Sequence, residues 1–234
     1  MSHRHPLLAA LYDRVTESGE RAFLGGLRRE FVAAAKGFVL EIGAGTGRNF
    51  PYYSAASVDE VLAVEPDPEM RRRGEARRQA AALRISLLDG MAERLPFESA
   101  CADTVVTTLV LCSVDDPRQV VREIRRVLKP GGTLILIEHI RTEDRWTTRF
   151  QDLLTPLWRR IAGNCHLNRP TLDTLRDAGF KIQGGESVVV GSPKILPIVA
   201  GFGSMSGKKP LGRFQSFLEY FSISASKNRC LVPV

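Results

Sequence analysis

The chain has 234 residues, enough for one sizeable domain and short for two. Hydrophobic residues make up 44% and charged residues 25%, ordinary for a globular protein, and no apolar run approaches the roughly 20 residues a membrane helix needs. The net charge is +7, much of it arginine, as in RRRGEARR (71–78). With no aromatic residues among them, these arginines read as a solvated helix face and not as a nucleic-acid platform.

The opening MSHRHPLLAALYDR has no signal-peptide core, so a cytoplasmic protein without stable membrane insertion is expected. Residues 1–36 precede the first strand and are expected to form a helical lid with Tyr12 pointing inward. Strands then alternate with helices. GFVLEI (37–42), EVLAVE (60–65), LRISLL (83–88), DTVVTTLV (103–110) and TLILIEHI (133–140) are short apolar runs, as strands buried on both faces require. In DDPRQVVREIRRVLKPGG, Pro117 suits a first helical turn, and Val120, Val121, Ile124, Val127 and Leu128 share a face before Lys129, Pro130 and Gly131 end the helix. This order predicts an α/β fold with a doubly wound, mostly parallel sheet.

Residues 141–170 read as an insertion. Trp146, Phe150, Leu153, Leu154, Leu157, Trp158 and Ile161 recur at helical spacing around Pro156, and a cap over the substrate, with Trp146 and Phe150 lining it, is expected. PTLDTLRDAGF (170–180) reads as a helix stopped by Gly179, followed by strand-like SVVVGS and PKILPIVAG. The main domain, residues 37–200, is expected to close near Val199. The tail, residues 201–234, opens on glycines and serines and then places Leu211, Phe214, Phe217, Leu218 and Phe221 on one helical face. Self-docking or disorder is expected of it, with no part in the cofactor pocket.

LEIGAGTGRNF carries Gly43, Gly45 and Gly47 directly after the first strand. Glycines at a strand-to-helix turn let backbone approach a ligand. The dinucleotide pattern G-x-G-x-x-G has Arg48 at its sixth position here, and Glu41 before the turn would repel a pyrophosphate. Glu65 ends the second strand, where a carboxylate accepts both ribose hydroxyls. A ribose, a cationic end and no phosphates together describe S-adenosylmethionine. The cysteines, Cys101, Cys112, Cys165 and Cys230, form no CxxC pair, and His166 has no sequence-local partner, so neither a metal site nor a disulfide framework is expected.

LEIGAGTG, AVEPD, GMAERLPF and VLKPGG resemble the successive motifs of class I S-adenosylmethionine-dependent methyltransferases. TLVLCSV, EIRRVLKPGGTLILIEHIR and GNCHLNRPTL are similar to a small methyltransferase-like group that includes the alkyl-thiol methyltransferases. The resemblance implies a seven-stranded Rossmann-like sheet. It implies that Gly43, Ala44, Gly45 and Gly47 lie against the methionine part and that Glu41 helps hold its ammonium group. Glu65 would clamp the ribose, Pro66 would pack on one adenine face, and Met91 and Ala92 would border the other. Thr108 and Leu109 would face the reacting methyl. The product would be S-adenosylhomocysteine.

A sulfonium methyl is already activated, so the protein aligns it with a nucleophile and removes a proton where needed. His139 and His166 are the candidate bases. The acceptor is expected to be small and rather hydrophobic, a thiol being convenient because some thiolate exists near neutral pH. A phospholipid or other amine stays open, as does a non-catalytic protein that kept the fold; a nicotinamide oxidoreductase is disfavoured by Glu41 and Arg48. Oligomeric state is not legible.

Overall fold

The computed structural model describes residue 13, residues 17–183 and residues 197–205. Tyr12, the SVVVGS segment and the tail beyond Met205 lie outside the described residues.

Seven strands form one sheet: β1 (Gly37–Ile42), β2 (Val58–Val64), β3 (Ile85–Leu88), β4 (Ala102–Thr108), β5 (Leu128–His139), β6 (Phe180–Gln183) and β7 (Ile198–Met205). Their order is β3-β2-β1-β4-β5-β7-β6. The first five pair in parallel, whereas β7 runs antiparallel to both β5 and β6. The expected doubly wound, mostly parallel sheet is therefore the one that forms.

The apolar strand runs alternate between two cores, as a period of two dictates. Leu40, Ile42, Leu62, Val105, Leu134 and Leu136 face one side. Val39, Val61, Ala63, Val106, Ile135 and Ile137 face the other. Between β2 and β3 lies α2 (Pro68–Gln79), and between β4 and β5 lies α3 (Pro117–Val127). Before β1 comes α1 (Gly25–Phe31), entered through a single π-helical turn, Glu20–Leu24. After β5 come α4 (Arg145–Ile161) and α5 (Thr171–Asp177). In α3 the first-turn proline is Pro117, as expected, and Asp116 caps the helix by accepting the Gln119 N–H at 2.9 Å. Its Val120, Val121, Ile124 and Val127 are fully buried. No described helix is long and apolar enough to cross a membrane.

β5 begins at Leu128, so Leu128, expected on the helix face, and Lys129, Pro130 and Gly131, expected to end the helix, belong to the strand. Two boundaries at the antiparallel edge of the sheet also differ from the sequence reading. Gly179, at φ +88°, ends α5 as expected, but the chain turns straight into β6, so Phe180 opens a strand instead of closing a helix. The expected domain boundary at residue 200 falls inside β7. Gly201 and Gly203 looked like a flexible opening; both are buried in the strand between β5 and β6. A Cβ on Gly203 would sit 3.3 Å from Ile182 and from Leu134, so small residues there let the sheet close.

The arginine-rich helix α2 is less solvated than expected. Arg71 pairs with Asp89, Arg72 with Glu69 and Arg78 with Glu75, while Arg77 reaches out of the helix to Asp13 at 2.9 Å. Pairing within the molecule absorbs most of that charge.

Candidate functional site

The order of the sheet reverses between β1 and β4, and ligands of such sheets bind beyond the carboxyl ends of the strands at that switch point. The glycine turn leaves β1 there. Gly43, Gly45 and Gly47 have φ of +68°, +57° and +76°. A Cβ on Gly43 would come within 2.5 Å of Val110, and one on Gly47 within 2.5 Å of the Phe50 ring. Nothing lies within 4 Å of a Cβ built on Gly45, the open face of the turn. Ala44 is buried beneath it.

Glu65 follows β2 directly. One carboxylate oxygen accepts the Gly45 N–H and the other the Asp67 N–H, each at 2.9 Å. The side chain is thus fixed beside the open glycine with lone pairs to spare. Burial pushes its pKa up, opposed by those two hydrogen bonds. Pro66 and Met91 are half-buried and Ala92 is buried. Asp89 is taken up by Arg71 at 2.8 Å. At the end of β4, the Thr108 hydroxyl accepts from the Asn49 amide at 3.1 Å, and Leu109 follows with φ +57°. A left-handed leucine is a strained conformation of the kind functional turns hold.

Glu41 is less accessible than its expected role suggests. It is 1% exposed, and its oxygens accept from Tyr53 Oη at 2.7 Å and Asn49 Nδ2 at 3.0 Å. The buried guanidinium of Arg28 donates to Asn49 and, at 2.7 Å, to Glu20. Asn49 thus links Glu41 to Thr108. This chain of partners was not legible, because its members come from α1, β1, the glycine turn and β4.

The front of the chain is clamped to the same turn. Asp13 accepts from the Thr46 hydroxyl at 2.8 Å and from Arg48 at 3.1 Å, and it also pairs with Arg77. Glu17 reaches Arg48 at 3.3 Å. The two cations pull Asp13's carboxyl below the usual range against the cost of burial.

Desolvation raises the Glu41 pKa to about 7, against 4.5 for the free group. Below pH 4.5 folded and unfolded states are both protonated. Above it the unfolded chain ionises first, so stability falls as pH rises and levels off past about 7. The loss from this one group is about 3 kcal/mol across that window. Glu41→Gln removes the titration. Denaturant unfolding of both proteins at pH 5 and pH 8 is expected to show the variant gaining on the parent by about that amount. A gap that stays constant with pH would exclude this assignment.

Beyond Leu109 the next turn is held by Glu138. This fully buried carboxylate accepts the backbone N–H groups of Val110 and Leu111 at 3.0 Å and of Cys112 at 3.3 Å. Burial raises its pKa and the three donors oppose the rise. His139 follows on β5. Its Nδ1 lies 3.4 Å from Cys165 Sγ and 3.9 Å from Cys112 Sγ, and the two sulfurs are 3.6 Å apart. Contact with Cys112 lowers the Cys165 pKa, whereas contact with Cys165 and burial raise that of Cys112. Three potential ligands converge where none was expected. They come from strand ends and a loop far apart in sequence, so spacing could not reveal them.

His166 does not join them. Its backbone N–H donates to the Cys112 carbonyl at 2.7 Å, and its Nδ1 lies 3.2 Å from the same oxygen. A carbonyl only accepts, so Nδ1 carries the proton and His166 ties its loop to Cys112. Burial and the nearby Arg169 and Arg159 hold its pKa down.

The expected lining residues Trp146 and Phe150 face outward, 74% and 45% exposed. The inner face of α4 is Gln151, fully buried, with Thr155 at 5% exposure. Gln151 Nε2 donates to the Ile140 carbonyl at 3.1 Å, and that bond sets the rotation of the helix. Leu154 and Trp158 pack over Cys112, Cys165 and Leu167 instead.

A glycine turn at the switch point of a sheet in this order is the architecture of the class I methyltransferases. Residues 40–136 match the family model described as a methyltransferase domain. The human protein named thiol S-methyltransferase TMT1B is 32% identical over 172 residues, covering 72% of this chain and 70% of the relative. Human thiol S-methyltransferase TMT1A is 29% identical over 174 residues, covering 73% and 70%. The putative methyltransferase in a Haloferax volcanii complex with the Trm112 activator superposes with a TM-score of 0.65 at 17% identity, covering 85% of this chain and 96% of that one. The chain belongs to the class I S-adenosylmethionine-dependent methyltransferases, in the group that includes the alkyl-thiol methyltransferases.

Proposed function

We propose that this methyltransferase transfers the methyl group of S-adenosylmethionine to the sulfur of a small, rather hydrophobic thiol. The likeness to the human thiol S-methyltransferase over most of the chain carries the acceptor class. The placement of the open glycine beside Glu65 supports the cofactor pocket. Gly43, Ala44, Gly45 and Gly47 receive the methionine part along the turn, Glu65 accepts the ribose hydroxyls, and Pro66, Met91 and Ala92 flank the adenine. Thr108 and the left-handed Leu109 border the reacting methyl. Asn49, which donates to Glu41 and Thr108 and accepts from Arg28, braces that border from within.

The chemistry asks the protein for alignment and dryness. The acceptor sulfur gives an electron pair to the methyl carbon, the carbon–sulfonium bond breaks, and S-adenosylhomocysteine leaves. Asp13 and Glu17 pair with Arg48 and so rest against the glycine turn.

Calorimetry with S-adenosylmethionine, S-adenosylhomocysteine and NAD tests the cofactor. Binding of the first two and none of NAD is expected. A methyl-transfer screen over alkyl and aryl thiols, amines, phenols and phospholipids tests the acceptor. Turnover confined to amines or lipids would overturn the thiol reading and leave the cofactor reading intact.

A further inference from the structure

We propose that Cys112, His139 and Cys165 form a zinc site with three protein ligands, whose fourth position takes the acceptor thiol. The inference rests on the thiol reading above for its substrate and on geometry for its metal.

The ligand atoms lie within 4.8 Å of one another. Tetrahedral zinc, with bonds of about 2.3 Å to sulfur and about 2.0 Å to nitrogen, sets sulfur about 3.8 Å from sulfur and about 3.6 Å from nitrogen. The three separations here are 3.6 Å between the sulfurs and 3.4 Å and 3.9 Å from Nδ1 to the sulfurs. The cluster thus has the edges of one tetrahedral face before any ion enters. Its chemistry is soft. Two thiolates and an imidazole suit zinc and leave magnesium or calcium without the oxygen ligands they need.

The surroundings hold the ligands in place, as a metal site requires. Glu138 fixes the turn that carries Cys112 through three backbone N–H groups. The Cys112 carbonyl receives both His166 donors and so fixes the loop that carries Cys165. Arg169 closes the frame on the Leu111 carbonyl at 2.7 Å. The sulfurs lie among Leu109, Leu154, Trp158 and Leu167. Leu109 is also the residue that borders the reacting methyl, so the cluster sits where an acceptor would.

A reason for the metal follows. Most of a simple thiol is protonated near neutral pH. A thiol that binds zinc gives its proton to solvent and stays bound as thiolate. The thiolate pair then attacks the sulfonium methyl. The carbon–sulfonium bond breaks with its electrons retained by S-adenosylhomocysteine, and the neutral thioether, a poor ligand, dissociates. Nothing is oxidised or reduced.

The test uses the full chain, purified under reducing conditions without added chelator, and reads metal content by mass spectrometry and by cobalt(II) exchange. About one zinc per chain is expected, with thiolate-to-cobalt charge-transfer and tetrahedral d–d bands after exchange. Cys165→Ser and His139→Gln should each lower zinc content at least tenfold while retaining a cooperative melt. The parent's cobalt spectrum covers the case in which a variant fails to fold. Adding a short alkyl thiol should shift the cobalt bands. Absence of zinc, or a Cys112–Cys165 disulfide in its place, would overturn the site even if thiols are methylated. Bound cobalt whose bands ignore the thiol would overturn the open fourth position. Methylation of amines alone would overturn the function proposed above, and the metal readouts would still decide the ion.

Discussion

A chain stopped after Ala200 is expected to lose most of its stability relative to one stopped after Met205. The five residues in between are not a tail. Phe202, Gly203, Ser204 and Met205 pair with Gln183, Ile182, Lys181 and Phe180, which is the whole ladder of β6. On the other edge, Gly201 to Ser204 pair with Leu136 to Thr133 of β5. Phe202 also meets the Phe31 ring of α1 with centroids 5.2 Å apart. Removing these residues strands β6, uncovers Phe180, and leaves buried backbone groups of β5 without partners. Each lost hydrogen bond contributes about 1 kcal/mol, and an orphaned buried group costs about 1–3. A loss of at least 5 kcal/mol is expected from total stabilities of about 5–15. For a domain of this size that lowers the melting temperature by about 10 °C or more, or abolishes folding. Thermal melts of the two truncated chains decide it. Equal melting temperatures would place the edge of the domain at residue 200 after all.

The parallel half of the sheet was legible because each strand there is a continuous apolar run, and burial on both faces leaves that mark in the sequence. The antiparallel edge was not. β6 is only Phe180–Gln183 and alternates with lysine and glutamine, as an edge strand does, so it merged with the helix before it. β7 contains Gly201 and Gly203, whose composition signals a linker although their role is to let neighbouring side chains close over them. The cofactor turn was legible for a different reason. Positive φ at Gly43, Gly45 and Gly47 forces the residue type, so geometry is written directly into the sequence.

Side-chain convergence leaves no such mark. Arg28, Asn49, Tyr53 and Glu41 meet across four elements, and Cys112, His139 and Cys165 across three. The stripe on α4 misled because helical periodicity identifies an apolar face without saying which way it points. Gln151 and Thr155, ordinarily outward residues, are the buried ones, held by the Ile140 carbonyl and the backbone of their own helix. Trp146, Phe150, Leu153, Leu157 and Ile161 remain on the exposed side.

Glu65→Ala is expected to weaken S-adenosylmethionine binding by about 10- to 100-fold. Two effects add. The ribose hydroxyls lose a charged acceptor, and hydrogen bonds to charged groups are worth about 1.5–3 kcal/mol. The Gly45 N–H and the Asp67 N–H also lose theirs, which loosens the glycine turn against the cap of α2. Glu65→Gln separates the two. Its amide oxygen still accepts one backbone N–H, but it offers the ribose a neutral acceptor and a donor in place of a carboxylate. If ribose binding dominates, the glutamine variant falls nearly as far as the alanine variant. If bracing the turn dominates, glutamine, which keeps one of the two backbone hydrogen bonds, recovers part of the affinity. Calorimetric titration of both variants, with melts to show that the fold survives, gives the ratio. Burial raises the Glu65 pKa, so the parent's affinity should also decline as pH falls toward the carboxyl's elevated titration range, where protonation removes the charged acceptor. Neither variant should show that decline. An alanine variant with the parent's affinity and melt would remove Glu65 from the ribose site.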